Sequence, residues 1–192
     1  MTFHSIARLG LALFIGIAVG SCSQQTNKKQ DSSEKNGKKD QAAEIKASTR
    51  IKKGEKVPEF SFTTLSGQQY SIDDLKGKVV LINLFATWCP TCQKEMPALE
   101  NKIWKQYRER EDFFMISIGR EQNRQKLKDF KDKKGYTFHF AADTARQIYG
   151  KFAGKYIPRN IIVDRQGTIV YQATGFDEAK LQEMLQQLGQ TL

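Results

Sequence analysis

The sequence predicts an α/β layered domain on a largely parallel core sheet, and three observations support that fold class. Two apolar runs of strand length, Val79–Phe85 and Phe113–Ile118, are too continuous for a sheet with one wet face. Other segments carry apolar residues at three- and four-residue spacing, as helices do when one face is buried. Strand and helix signals alternate along the chain, which calls for crossover connections between layers.

The first residues are not core. Met1 to Ser21 sets His4 and Arg8 ahead of an uncharged stretch, Leu9 to Gly20, which is too short to cross a bilayer and matches the centre of a secretory signal peptide. Val19-Gly20-Ser21-Cys22 resembles a bacterial lipobox, which implies cleavage before Cys22 and a diacylglycerol on its thiol. The competing reading, an ordinary cleaved signal, leaves a stray thiol in an oxidising compartment. From 22 to 56 the composition turns to Gln, Lys, Ser, Asn, Asp and Glu, so a flexible spacer is predicted between the lipidated Cys22 and a domain spanning 57–192. The chain carries 31 Lys and Arg against 21 Asp and Glu, a net charge of +10. Several of those lysines lie in the spacer, which has no aromatics. The charge therefore points to solvation and anionic lipid head groups rather than to nucleic acid.

Within the domain, Val57–Phe62 and Gln69–Ile72 alternate around the turn Ser66-Gly67, predicting a hairpin. Asp73–Gly77 reads as one helical turn leading into the buried strand 78–85, where Asn83 interrupts an apolar run and needs hydrogen-bond partners. Met96, Leu99, Ile103 and Tyr107 mark an amphipathic helix over 93–110, kinked by Pro97. A strand at 113–118 is followed by a helix at 122–134, with Leu127 and Phe130 inward and Gly135 ending it. Residues 136–141 read as extended, and Asp143 as the cap of a helix through Ile148 and Tyr149 to about residue 151. Asn160–Asp164 and Thr168–Tyr171 form a hairpin about Arg165-Gln166-Gly167, and Leu181, Leu185 and Leu188 mark a closing helix. No internal repeat is present.

The chemistry-bearing stretch is Trp88-Cys89-Pro90-Thr91-Cys92, where a buried strand turns into a helix. A helix N-terminus offers free N–H groups and the positive end of the macrodipole, which favour a thiolate. Cys89 is then the more exposed sulfur with the lower pKa, and Cys92, one turn inside, the one that closes a disulfide. Pro90 is tolerated because a first-turn N–H has no intrahelical partner. A C-x-x-C pair could also be half of a zinc site, but the only other ligands of that type are Cys22, His4 and His139, so no metal is predicted. A purely structural bridge over so short a loop stabilises little, which favours redox use.

Taken together, the strand, the Trp88-Cys89-Pro90-Thr91-Cys92 motif, the kinked helix, Ile157-Pro158 before a strand, and the terminal hairpin and helix resemble the thioredoxin superfamily over 57–192. More narrowly, the chain resembles the membrane-tethered TlpA/ResA-type thiol-disulfide oxidoreductases. The resemblance implies a thioredoxin-like fold: a central mixed sheet with helices on both faces, an N-terminal hairpin and a helix-strand insert. It implies disulfide exchange with partner proteins outside the cytoplasm, more as a reductase fed by a membrane thiol-disulfide donor, with no cofactor. It makes Cys89 and Cys92 the active pair, matches Pro158 to the family's cis-proline, and gives Ile157 the backbone groups that pair with substrate. The family often has Thr before that proline, so Ile157 is a departure. Trp88 and the rim around Ile157 would shield the mixed disulfide. Glu95 matches an acid kept near ResA-type thiols, or else complements the helix dipole. Arg159 would add positive charge near the site, or form a surface salt bridge. Two rivals differ at defined positions. Peroxiredoxins keep Thr and Pro where this chain has Ala86 and Ile82, and Sco-type copper proteins need three residues between their cysteines and a placed His, for which only the edge-strand His139 is available.

Overall fold

The computed structural model describes residues 39–192. The predicted signal peptide, the predicted lipidation site Cys22 and the first part of the predicted spacer lie outside the described residues. The compact unit spans Gln41–Leu192, so packing begins well before the predicted boundary at 57. Residues 41–48 are helical. Thr49 then bridges Ala153, Lys56 bridges Thr168, and Ile51 is buried in the core. This part of the predicted spacer is ordered for a reason that composition conceals: it is held mainly by backbone pairing and buries one large apolar side chain.

β1 (Ser61–Thr63) and β2 (Gln69–Ser71) form the hairpin, shorter than the alternation predicted. A 3-10 turn, Ile72–Leu75, follows with a reciprocal cap between Ser71 and Asp74. The main sheet contains β3 (Val79–Phe85), β4 (Phe113–Arg120), β5 (His139–Asp143), β6 (Arg159–Val163) and β7 (Ile169–Thr174), in the order β5-β4-β3-β6-β7. β3, β4 and β5 are parallel, whereas β6 and β7 run antiparallel. The sheet is therefore mixed.

Helix α1 (Pro90–Ala98) continues through a π-helical segment, Leu99–Trp104, and a last turn, Lys105–Tyr107. Pro97 lacks the N–H that would bond to the carbonyl four residues back, and the helix widens immediately after it. The Asn101 side-chain amide donates to the Pro97 carbonyl at 2.9 Å. Helices α2 (Arg124–Lys134) and α4 (Glu178–Thr191) join α1 on one face of the sheet, where Met96, Leu99, Leu127, Leu181 and Leu188 pack on Leu81, Phe85 and Met115. On the other face Phe60, Phe62, Ile72 and the short α3 (Tyr149–Phe152) cover Val80, Ile82, Leu84 and Ile116. Asp143 is not the cap the sequence predicts: it ends β5, and the one-turn α3 has Ile148 at its N-cap, although the Asp143 carboxylate still accepts from the N–H groups of Ile148 and Tyr149.

Candidate redox site

The strand-to-helix junction forms as predicted because its apolar strand residues are buried on both faces and Pro90 opens α1. Cys89 is the N-cap residue, and its Sγ accepts from the Cys92 N–H at 3.2 Å. The two cysteines form a disulfide, with Cα atoms 5.2 Å apart. Cys89 is 5% exposed and Cys92 fully buried, so of the two cysteines Cys89 is the one nearer the surface. Trp88, 60% exposed, is the exposed large hydrophobic residue beside them, while Pro90 is exposed and Thr91 half-buried.

The segment before β6 closes the site from the other side. Ile157–Pro158 is cis, Pro158 is buried, and Cys89 Sγ lies 4.0 Å from the Ile157 carbonyl oxygen. The segment 86–89 is pinned by Gln122, which the sequence reading did not single out. Its Oε1 accepts from the Thr87 N–H at 2.9 Å and its Nε2 donates to Thr87 Oγ1 at 2.6 Å. Gln93 Nε2 donates to the Thr87 carbonyl at 2.7 Å.

Beneath the disulfide lies a buried polar row. Ser117, Asn83 and Asn160 are register partners on β4, β3 and β6, so their side chains share the sheet face under α1. Ser117 Oγ donates to Asn83 Oδ1 at 3.0 Å, and Asn83 Nδ2 donates to Asn160 Oδ1 at 2.9 Å. Glu95, one helical turn past Cys92, accepts from Asn83 Nδ2 at 2.9 Å and from Asn160 Nδ2 at 2.5 Å. Glu95 is 1% exposed and lies beyond the first turn of α1, which holds no acidic residue, so it is not the first-turn complement to the helix dipole of the alternative reading. Burial pushes its carboxyl up to about 7, with the two Asn donors opposing the rise.

Two further expectations need correction. Arg159 faces away from this row and is fully buried, so it is neither a surface salt bridge nor an open charge beside the thiols. His139 is on the edge strand β5 as expected, but it is half-buried, stacked on Phe114 with centroids 5.0 Å apart. Burial and the nearby Lys131 charge hold its pKa below the usual imidazole range. Among the described residues no group of three or more His, Cys, Asp or Glu side chains comes together to hold a metal. The candidate lipidation residue Cys22 lies outside the described residues.

A family model described as Redoxin matches residues 52–188. The chain is 32% identical over 122 residues to the thiol-disulfide oxidoreductase ResA of Bacillus anthracis, covering 64% of this chain and 69% of that one. It is 35% identical over 120 residues to the thioredoxin-like protein YneN of Bacillus subtilis, covering 62% and 69% respectively. Among solved structures it is similar to a candidate protein disulfide isomerase from Bacteroides thetaiotaomicron. There the TM-score is 0.73 at 33% identity, over 76% of this chain and 92% of that one.

Proposed function

Given that the chain belongs to the Redoxin family and is a thiol-disulfide oxidoreductase of the ResA type, we propose that it reduces disulfides of partner proteins outside the cytoplasm, tethered by a lipid on Cys22. The observation that carries this reading is the disulfide at a helix N-terminus, whose outer sulfur, on the less buried Cys89, lies 4.0 Å from the Ile157 carbonyl.

In the reduced protein the Cys89 thiolate attacks one sulfur of the partner disulfide, forming a mixed disulfide and releasing the other partner sulfur as a thiolate, which takes up a proton. Cys92 then loses its proton and attacks Cys89 Sγ. The Cys89–Cys92 bond forms, the mixed disulfide breaks, and the second partner thiol leaves. Two electrons have moved from the cysteine pair to the partner. A membrane thiol-disulfide donor returns two electrons and two protons. The free N–H groups and dipole of α1 favour Cys89 as thiolate and leaving group. Glu95, poised near 7 on the buried side of the same helix, accepts the proton that Cys92 gives up. The exposed Trp88 and the Ile157 backbone receive the partner segment around its cystine.

The test is capture. Cys92→Ser cannot resolve the mixed disulfide, so it accumulates a partner bound through Cys89 that dithiothreitol releases. Cys89→Ser captures nothing, and wild type reduces insulin with dithiothreitol as the source of electrons. If Cys92→Ser captures no protein while hydrogen-peroxide turnover persists, thiol-disulfide exchange is not the activity.

A further inference from the structure

Arg159 is the largest fully buried side chain among the described residues, and the exchange steps above do not use it. A buried guanidinium ordinarily has a carboxylate partner. Here every acceptor is neutral. Nε donates to the carbonyls of Tyr156 at 3.1 Å and Lys155 at 3.3 Å, and Nη2 donates to the Lys155 carbonyl at 3.0 Å and to Ser48 Oγ at 3.2 Å. Nη1 donates to Thr49 Oγ1 at 2.9 Å. The guanidinium thus joins two segments more than a hundred residues apart in sequence.

The first of these segments borders the reactive sulfur. Tyr156 has φ +67, an unfavourable region for a residue with a side chain, and needs outside contacts to stay there. Its carbonyl receives two donors, Arg159 Nε and the Tyr149 hydroxyl at 2.9 Å, and its own hydroxyl donates to Glu44. The next residue is Ile157, whose carbonyl faces Cys89 Sγ. The second segment is the N-terminal stretch. Gly154 N–H donates to the Ser48 carbonyl at 2.8 Å, Arg50 N–H to the Phe152 carbonyl at 2.9 Å, and Thr49 bridges Ala153. Residues 44–50 therefore run alongside 150–156 as a brace, with Arg159 as the interior bolt.

We propose that Arg159 is a positioning residue for protein substrates: with Ser48 and Thr49 it fixes the backbone of Tyr156 and Ile157 beside Cys89, so that the N-terminal stretch forms part of the substrate-docking loop. This deepens the exchange reading above and rests on it. An extended polypeptide needs the Ile157 backbone in a fixed place, whereas a small disulfide needs only the sulfur.

The experiment compares two oxidants on pre-reduced full-length protein: insulin and 5,5′-dithiobis(2-nitrobenzoic acid). Arg159→Met keeps the bulk and removes the donors, and Ser48→Ala/Thr49→Val removes the hydroxyl acceptors together with the hydrogen bonds those hydroxyls donate to the Ile45 carbonyl. Arg159→Met is expected to lower the rate constant with insulin roughly tenfold, the scale of losing hydrogen bonds from a charged donor, and the double variant roughly threefold on the same scale. With the small disulfide both rates change less than twofold, and the equilibrium with glutathione is unmoved. Arg159→Lys, which keeps a charged donor, recovers part of the insulin rate. An insulin rate equal to wild type in folded Arg159→Met overturns the proposal, as does an equal loss with both oxidants, which would place the damage at the thiols. Should Arg159→Met fail to fold, the double variant decides by the same two rates. A wild type that reduces neither oxidant refutes the exchange reading itself, and this inference with it.

Discussion

Replacing Glu95 with Gln tests whether the polar row beneath the disulfide holds a carboxyl that titrates near neutrality. Burial raises Glu95 from 4.5 to about 7. A carboxyl raised on folding binds its proton more tightly in the native than in the unfolded chain. Its contribution is therefore fully present below pH 4.5 and is lost as pH rises through 7. A shift of that size corresponds to about 3 kcal/mol in all, of which most, about 2–3 kcal/mol, falls between pH 5 and pH 8. The substituted amide cannot ionise, so the Glu95→Gln variant does not suffer this loss. It does incur a constant one, because Asn83 Nδ2 and Asn160 Nδ2 both donate to Glu95 and an amide offers only one oxygen. That mismatch, about 1–3 kcal/mol, is independent of pH. Other titrating groups, including the half-buried His139, are common to both proteins and cancel in the difference. The assay is urea unfolding of the oxidised proteins at pH 5, 6, 7 and 8. Relative to wild type, the variant is expected to gain about 2–3 kcal/mol on going from pH 5 to pH 8, whatever its offset. A difference flat across that range, or one that falls, would refute the assignment of a neutral-range carboxyl to this row.

The remaining structural predictions concern packing around the site. A Cβ at Gly119 would lie 2.5 Å from Leu127 Cδ2, and Leu127 is the fully buried residue of α2, so Gly119→Ala is expected to lose about 1–3 kcal/mol in the same unfolding assay. A rise in the midpoint would show that α2 shifts freely. Gln122→Ala removes the donor and the acceptor that hold Thr87, so exchange of the Thr87 amide hydrogen, followed by NMR, is expected to quicken about tenfold or more. Unchanged protection would mean that the segment before Cys89 is held by something else.

The sequence by itself determined the α/β class, the junction that carries Cys89 and Cys92, and the need of Asn83 for partners. Each of these is a local matter: a continuous apolar run must be buried on both faces, a helix begins where Pro90 permits it, and a lone amide in such a run has to be satisfied. Who satisfies it was not local. The donors to Glu95 come from β3 and β6, and only strand register sets Asn83 beside both Ser117 and Asn160, so the two readings of Glu95 stood level until that register was known. The same held for Arg159 and for residues 41–56. A polar composition suggested solvent for both, yet the guanidinium finds carbonyls and hydroxyls inside the domain, and the polar segment pairs through its backbone. Composition counts side chains, whereas burial of a polar group is decided by the partners that distant segments bring to it, and only the tertiary structure supplies those.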